Sequence, residues 1–255
     1  MPLTGTDDPQ TEAGAESPPP VPATRRSNPK IGALMDLTVH SVSNLTPRMK
    51  RIILTGEALA TFKYRPGQEL VLMMPAGQDE TVRRFYSIRR LNRKARTLEL
   101  NVLVHGDAPG ARWAAEVQPG AMVQAAGPHG RIGADPTADW HVFFSDEAGL
   151  PPMYAILEAL PPAARATVFA EVAGPRDKLQ NEAVAEVEIN WRFRGPMPAY
   201  ESRLLSEAAA EYRLPDGRCH AYIMGETGVV RDVRRTLRSR GLEVSQVSSE
   251  GLWRP

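Results

Sequence analysis

The spacing of apolar residues changes near residue 137, and this change constrains the fold more than any other feature of the sequence. Before that point, β-rich runs such as residues 34–55 and 97–104 are separated by turn residues, which is typical of an antiparallel meander. After it, apolar runs of strand length alternate with helical segments, which predicts a parallel sheet covered by helices. We therefore expect two domains, an antiparallel β-barrel over residues 31–136 and an α/β parallel-sheet domain over residues 137–255.

The individual elements follow from the same patterns. In the second part we expect strands at 140–144, 167–172, 187–191 and 220–224 and helices at 152–160, 201–212 and 228–240. In the first part, Gly127-Pro128-His129-Gly130 indicates a sharp turn that closes the barrel. Ligands of parallel sheets bind at the carboxyl ends of the strands, so we look for function there.

Composition excludes several classes of protein. Residues 1–30 are rich in Pro, Thr, Glu, Ala and Ser, which predicts a disordered tail. A net charge of +1 argues against a nucleic-acid-binding protein, and no apolar run approaches the ~20 residues of a membrane-spanning helix. The N-terminus lacks a signal-peptide pattern. The single cysteine, Cys219, can form no internal disulfide and lacks the partners of a metal site, so we predict a cytoplasmic protein without a bound metal.

The segment Arg83–Arg90, RRFYSIRR, places an aromatic strand core between two pairs of arginines. In a strand, Arg84 and Tyr86 share one face, and Phe85 and Ser87 share the other. An arginine can bind a phosphate through two parallel hydrogen bonds, and a tyrosine ring can stack against an isoalloxazine. The segment therefore indicates a flavin-binding strand. The alternative is a solvated edge strand whose arginines prevent pairing with another chain.

Basic residues are concentrated around this strand. They are Arg83, Arg89, Arg90, Arg93, Lys94 and Arg96. Such a cluster would raise the local concentration of an anionic ligand, although we expect at least half of these charges to be merely solvated. The arginines of the last helix, Arg231, Arg234, Arg235, Arg238 and Arg240, are more typical of a solvated face.

Residues 105–113, HGDAPGARW, form a glycine-containing loop followed by the start of a helix near Pro109. Exposed amides at a helix N-terminus favour a phosphate group. Asp107 and Pro109 are also common residues at the start of any helix, so an ordinary capped helix is the alternative.

Two strand-to-helix loops of the second part are candidates for binding a dinucleotide. They are Ser145–Pro151 after the first strand and Gly225–Gly228 after the fourth. Neither matches the glycine fingerprint GxGxxG, and the carboxylates of Asp146 and Glu147 would repel a pyrophosphate placed on them. These acids could instead cap the helix. Arg176 follows another strand, where it could bind the 2′-phosphate of NADPH, although NADH remains an open alternative.

Five pieces of the sequence, together with the motif Arg84-Phe85-Tyr86-Ser87, resemble the siderophore-interacting proteins, which are ferredoxin-reductase-like flavoproteins. The resemblance covers residues 34–255, and its pieces stand in the same order. They are 104–114 (VHGDAPGARWA), 127–130 (GPHG), 146–161 with DEAGLP and ILEALP, 225–237 with GE and a basic helix, and 251–254 (GLWR). The sequence departs from the family pattern at His129, Ser145 and Leu252, where the family has an arginine, a glycine and an aromatic residue.

The resemblance implies FAD bound mainly by the barrel, with NADPH or NADH bound by the second domain. The residues it implies for FAD are Arg84, Phe85, Tyr86, Ser87, His105, Gly106, Ala108, Gly110, Ala111 and Trp113. The residues it implies for the NAD(P)H region are Asp146, Glu147, Gly225, Glu226 and Arg176. Arg83, Arg131 and Arg254 are candidate substrate contacts.

The implied activity is reduction of a ferric siderophore with release of ferrous iron, for which the flavin carries the chemistry and no protein acid or base is needed. Two alternatives remain open. The protein could supply electrons to a protein partner, or it could be a non-catalytic carrier of flavin or siderophore. We predict a monomer that binds neither nucleic acid nor membrane.

Overall fold

The computed structural model of the protein describes residues 32–75 and 81–255, so the predicted tail lies outside the described residues. Six strands close into an antiparallel barrel in the order β1-β2-β5-β4-β3-β6. The strands are β1 (Met35–Asn44), β2 (Met49–Thr55), β3 (Glu69–Pro75), β4 (Thr81–Asn92), β5 (Thr97–Leu103) and β6 (Met122–His129). One helix, α1 (Pro109–Glu116), follows β5.

Alternation of apolar and polar residues explains why these strands form a barrel. Inward-facing aliphatic side chains fill its interior and are at most 1% exposed: Leu37, Val39, Ile52, Leu54, Leu70, Leu72, Leu98 and Leu100. Burying such side chains stabilises the barrel by roughly 1.5–3 kcal/mol each. Closure also pairs β1 and β3 with β6, so neither remains an open edge.

The second part is a five-stranded sheet in the order β11-β10-β7-β8-β9, in which every neighbouring pair is parallel. Its strands are β7 (Trp140–Ser145), β8 (Arg165–Val172), β9 (Glu186–Phe193), β10 (Cys219–Glu226) and β11 (Val247–Trp253). Its helices are α2 (Leu150–Leu157), α3 (Leu204–Glu211) and α4 (Thr227–Ser239).

Helices cover both faces of this sheet. Phe143 packs with α2, whereas Val142 and Phe144 pack with α3 and α4 on the opposite face. The direction of strand addition reverses between β7 and β10, because the chain first adds β8 and β9 on one side and then returns to the other. Such a reversal leaves a crevice at the carboxyl ends of the two strands, where ligands of open α/β sheets bind.

Comparison with the sequence-based expectations confirms the fold class and identifies three differences. Residues 127–129 belong to strand β6 and not to a turn, although β6 does close the barrel. Strand β11 was not expected. Helix α3 begins at Leu204, after a separate 3₁₀ turn at Ala199–Glu201. The domain boundary at 136/137 falls between β6 and β7 and stays a prediction.

Among the described residues, no helix combines the length and the apolar character needed to cross a membrane.

Candidate functional site

A cleft lies between the barrel and the carboxyl edge of the parallel sheet. The barrel contributes Phe85, Tyr86 and Ser87 from β4, residues 101–103 from β5, and His105. The sheet domain contributes Ala148 from the loop after β7, Pro151 from the first turn of α2, and Leu252 and Trp253 from β11. The cleft therefore joins the predicted flavin strand to one of the predicted strand-to-helix loops.

The two barrel strands that line the cleft separate where they enter it. The β4–β5 register runs from Asn92↔Thr97 to Ile88↔Leu100 and stops there, with an irregularity between Ile88 and Arg90. Residues 85–87 still pair with β3. Backbone groups of β4 that face β5 at this point are therefore outside the paired ladder, and buried backbone groups need partners. A flat ligand with a polar edge could supply these partners.

Helix α1 packs directly on the flavin strand. A Cβ atom added to Gly110 would lie 2.5 Å from the Tyr86 hydroxyl oxygen and 3.3 Å from Arg84 Cγ. The Tyr86 and Trp113 ring centroids are 6.2 Å apart. Burial raises the pKa of Tyr86 to about 12, so the phenol is neutral. The glycine thus allows the N-terminal turn of α1 to approach Arg84 and Tyr86 closely, as the sequence predicts for a phosphate cradle.

A second cavity of about 420 Å³ adjoins the cleft. It is lined by Arg48 from the barrel, by Glu147 and Ala173 at strand ends, and by residues 194–200 after β9. Leu103, His105 and Trp253 line both spaces. The Trp253 ring contacts the His105 ring at a centroid distance of 4.8 Å. Trp253 is therefore a wall between the cleft and the second cavity.

Asp146 connects three strand ends at the carboxyl edge. Its Oδ1 accepts the backbone N–H groups of Ala148 (2.9 Å) and Gly149 (3.1 Å). Its Oδ2 accepts the Glu226 N–H (2.8 Å) and the Trp253 indole N–H (2.9 Å). Burial raises the pKa of this carboxyl group to about 6.

Gly225 is the residue that makes room for Asp146. Its φ of +149° is unfavourable for other residues, and a Cβ there would lie 2.7 Å from Asp146 Cγ. The side chain of Glu226 accepts the Val229 N–H at 2.8 Å and so caps helix α4. The carboxylates of Asp146 and Glu226 are thus both engaged with backbone N–H groups at strand ends and helix starts. For Asp146, a structural role of this kind is the alternative that the sequence left open.

Glu147 is the centre of a buried charge cluster. Its carboxylate pairs with Arg48 of the barrel and with Arg194, whose Nη1 lies 2.8 Å from Oε2. It also accepts the Ala173 N–H at 2.9 Å. Arg194 Nη1 lies 3.7 Å from Glu171 Oε1. This cluster forms the floor of the second cavity and joins the barrel to the sheet.

Most of the expected basic cluster near β4 is engaged elsewhere. Arg89 is 4% exposed and forms a two-point ion pair with Glu158 of the loop after α2, with one N–O distance of 2.7 Å. Arg90 also pairs with Glu158 and with Glu182. The expectation that Arg89 and Arg90 attract an anionic ligand is therefore wrong, because both hold the barrel against the sheet.

The remaining predicted residues lie around these spaces. Gly106, Ala108 and Ala111 flank the start of α1, and Arg176 is exposed at the carboxyl end of β8. Arg83, Arg131 and Arg254 are exposed and line neither the cleft nor the second cavity. Their roles stay predictions.

The sequence did not identify four contributors to the site. They are Asn101, Arg48, Trp253 and the segment 194–200. Only Trp253 carried a signal, as part of the C-terminal piece that resembles the family. The others are brought to the site by contacts between parts of the chain that are far apart in sequence.

Comparison with known proteins gives two family matches. Residues 67–132 match the siderophore-interacting FAD-binding domain, and residues 138–255 match the siderophore-interacting protein family. The crystal structure of a siderophore utilization protein from T. fusca is 30% identical, with a TM-score of 0.79, and the match covers 88% of this chain and 95% of that one.

Sequence relatives include a reductase of a ferric siderophore and a protein without an assigned function. The ferric vibriobactin reductase ViuB of Vibrio cholerae is 29% identical over 217 residues, which are 76% of this chain and 79% of that protein. An uncharacterized protein of Mycobacterium tuberculosis is 35% identical over 182 residues, or 67% of this chain. The match spans 64% of that mycobacterial protein. A ferredoxin–NADP+ reductase from Plasmodium falciparum, 15% identical with a TM-score of 0.69, shares the fold.

Proposed function

Because this chain belongs to the siderophore-interacting protein family, we propose that it is an FAD-dependent reductase of ferric siderophores that takes electrons from NADPH or NADH. The observation that carries the proposal is the cleft in which strands β4 and β5 separate against the carboxyl edge of a parallel sheet. Flavin and nicotinamide chemistry needs two rings held together, and the cleft adjoins a second cavity.

The residues of the cleft fit FAD. Phe85, Tyr86 and Ser87 would lie along the isoalloxazine, whose polar edge could bond to the backbone groups left outside the β4–β5 ladder. Arg84 and the first amides of α1 would bind the pyrophosphate, since both flank Gly110. Leu252 and Pro151 line the cleft on the side that faces away from the barrel, and they would exclude water from that side of the isoalloxazine.

When bound, FAD accepts a hydride from reduced nicotinamide and passes electrons one at a time to ferric iron. The chain's own residues would orient the isoalloxazine ring and shield it from water. The phenol of Tyr86 is neutral because burial raises its pKa to about 12. Burial also lowers the pKa of His105, so its imidazole is neutral at pH 7. Because both groups are neutral, Tyr86 and His105 place no charge on the barrel side of the cleft, where the isoalloxazine would lie.

The second cavity is the proposed nicotinamide site. Arg48 and Arg194 line it, but both are already engaged by acidic groups: they share Glu147, Arg48 also lies 3.6 Å from Asp177, and Arg194 lies 3.7 Å from Glu171. Phosphate groups of the donor would therefore bind to other basic residues. Arg176, exposed at the end of β8, could bind a 2′-phosphate, which favours NADPH. Ferric siderophores of the catecholate type are anionic, so we propose that a substrate of this type approaches the cleft past Arg83, Arg131 and Arg254.

An absorption spectrum and stopped-flow kinetics test the proposal. We expect flavin bands in the purified protein, bleaching on mixing with NADPH, and recolouring when a ferric catecholate chelate is added together with a ferrous-specific chelator. A colourless protein that does not bind added FAD would refute the assignment. Absence of bleaching with either donor would favour a carrier, and bleaching without recolouring would favour an electron supplier for a protein partner.

Donor preference has its own test. We expect Arg176→Ala to raise the KM for NADPH about tenfold and to leave the KM for NADH unchanged, since one charge-assisted hydrogen bond contributes about 1.5 kcal/mol. Arg165→Ala is the matched control, because Arg165 is the first residue of β8 and so lies at the amino end of the strand that Arg176 follows. Equal changes for both donors would remove Arg176 from this role.

A further inference from the structure

The carboxylate of Asp146 has no remaining acceptor capacity. A carboxylate offers about four lone-pair positions, and four N–H groups occupy them, two on each oxygen. Three of the donors are backbone groups fixed by the turn after β7 and by the end of β10. The fourth is the indole of Trp253, which is the only side chain among them.

Trp253 is held at both ends of its ring. The indole N–H binds Asp146 on the sheet side, while the ring lies against His105 of the barrel. Its backbone oxygen accepts the Thr227 hydroxyl at 2.8 Å. Because the residue lines the cleft and the second cavity at once, its orientation decides how the two spaces are separated.

We propose that Asp146 is a positioning residue that fixes the indole of Trp253 as the wall between the flavin cleft and the adjoining cavity. This inference rests on the proposed function in so far as the cleft holds FAD. Asp146 itself touches neither space, since it is buried behind the wall. It acts through Trp253.

Protonation of Asp146 has a definite consequence. A proton on Oδ2 takes a lone pair that now accepts either the Glu226 N–H or the indole N–H, so one of these two bonds is lost. The indole is the donor that is released, because the three backbone donors belong to fixed turns. Burial raises the pKa of Asp146 to about 6, so the release falls in an accessible range.

Several titratable and charged groups surround Asp146 and influence the pH range in which it is protonated. Glu147 on the same loop favours the protonated form of Asp146, and the charge of Asp146 in turn raises the pKa of Glu171 at the end of β8. The Glu226 carboxylate lies at the start of α4, and His105 faces Trp253 from the barrel. Arg194 is paired with Glu147.

Fluorine NMR of the full-length, FAD-loaded protein labelled with 5-fluorotryptophan tests the proposal. The chain has four tryptophans, and Trp253→Phe identifies the resonance of residue 253. We expect this resonance to shift with a midpoint near pH 6, as the carboxyl group releases the indole. In Asp146→Asn it should occupy a changed position and no longer titrate there. Trp140, which begins β7 at the opposite edge of the sheet, is the internal control.

FAD affinity provides the second measurement. Asp146→Asn and Trp253→Phe remove the same hydrogen bond, so each should raise the FAD Kd about fivefold, as expected for one such bond. The double variant should show about the same fivefold effect. Independent effects would instead multiply to about 25-fold.

The outcomes separate this inference from the proposed function. A Trp253 resonance that Asp146→Asn leaves unchanged would overturn the positioning role, and so would unchanged FAD affinity in both single variants or a multiplied effect in the double variant. If the unaltered protein bound no FAD, the proposed function would fail and the role of the wall in flavin binding would fail with it. The NMR titration of the unloaded chain would still decide whether Asp146 fixes Trp253.

Discussion

Replacing Glu171 with glutamine should change how the stability of this protein depends on pH. Glu171 is 1% exposed at the end of β8. Burial raises its pKa from the ordinary value of 4.5 to about 7, against the lowering effects of Ser202 and Arg194, while Asp146 and Glu147 add to the rise. The folded protein therefore holds this proton more tightly than the unfolded chain does. The resulting stability is fully present below pH 4.5 and is lost as the pH rises through 7.

The size of the effect follows from the two pKa values. A difference of 2.5 units, from 4.5 to about 7, corresponds to about 3 kcal/mol over the whole range. Between pH 6 and pH 8, ionisation stabilises the unfolded state roughly twice as much as the folded state, because the unfolded group is ionised across this whole range. The unfolding free energy should thus fall by roughly 1–2 kcal/mol, which is roughly 3–5 °C in Tm for a chain of this size.

Thermal unfolding at several pH values measures this effect. Glu171→Gln is uncharged at every pH, so its Tm should rise relative to the unaltered protein by roughly 3–5 °C between pH 6 and pH 8. Taking the difference between the two proteins removes contributions from other groups, such as the buried histidines. Glu211→Gln, at the exposed end of α3, is the matched control and should track the unaltered protein. Parallel Tm curves for Glu171→Gln and the unaltered protein would refute the reasoning.

Three further variants test the cleft and its support. Arg84→Ala should lose FAD during purification, because the Cγ and Cδ atoms of the Arg84 side chain lie beside Gly110 at the start of α1. Arg83→Ala should keep FAD, and the ratio of flavin to protein absorbance distinguishes the two variants. Gly110→Ala should destabilise the protein by about 1–3 kcal/mol and weaken FAD binding, since the new methyl group meets the tyrosine hydroxyl beneath α1; unchanged urea unfolding would contradict this. Glu158→Gln should cost about 3 kcal/mol in the same assay, because it leaves the buried guanidinium of Arg89 without its carboxylate.

Local sequence pattern was sufficient for most of the fold. Alternation and helical periodicity act within a few residues, so they located strands β7 to β10 of the sheet and the α-helices of the described chain. Strand β11, VSSEGLW, escaped because it has few apolar residues and includes a glycine and a glutamate. It is a strand because β10 pairs with it in parallel and α4 packs on it. These are tertiary contacts, which cannot be inferred from the residues of β11 alone.

The candidate site was predictable in position but not in detail. Strand β4 and the loop after β7 contribute residues to the cleft, and α1 packs against β4 at Gly110. The roles in FAD binding that the resemblance implies for these residues stay predictions. The carboxylates of the loop were assigned to the NAD(P)H region, yet Asp146 and Glu147 are engaged with protein groups. Their partners lie far away in sequence: Arg48 is 99 residues from Glu147, and Trp253 is 107 residues from Asp146. No local pattern encodes such pairs.

Two ion pairs between the barrel and the sheet explain how the cleft keeps its width. Arg89 pairs with Glu158 on one side, and Arg48 pairs with Glu147 on the other. Partly buried pairs of this kind add little net stability, because desolvation offsets most of the attraction. They do, however, disfavour any shift of the barrel relative to the sheet, because such a shift would leave a buried charge without its partner. The spacing between the cleft and the second cavity therefore depends on charge pairing across the interface as well as on apolar packing. If the cleft holds FAD as proposed, removing either pair should weaken FAD binding before it unfolds the protein.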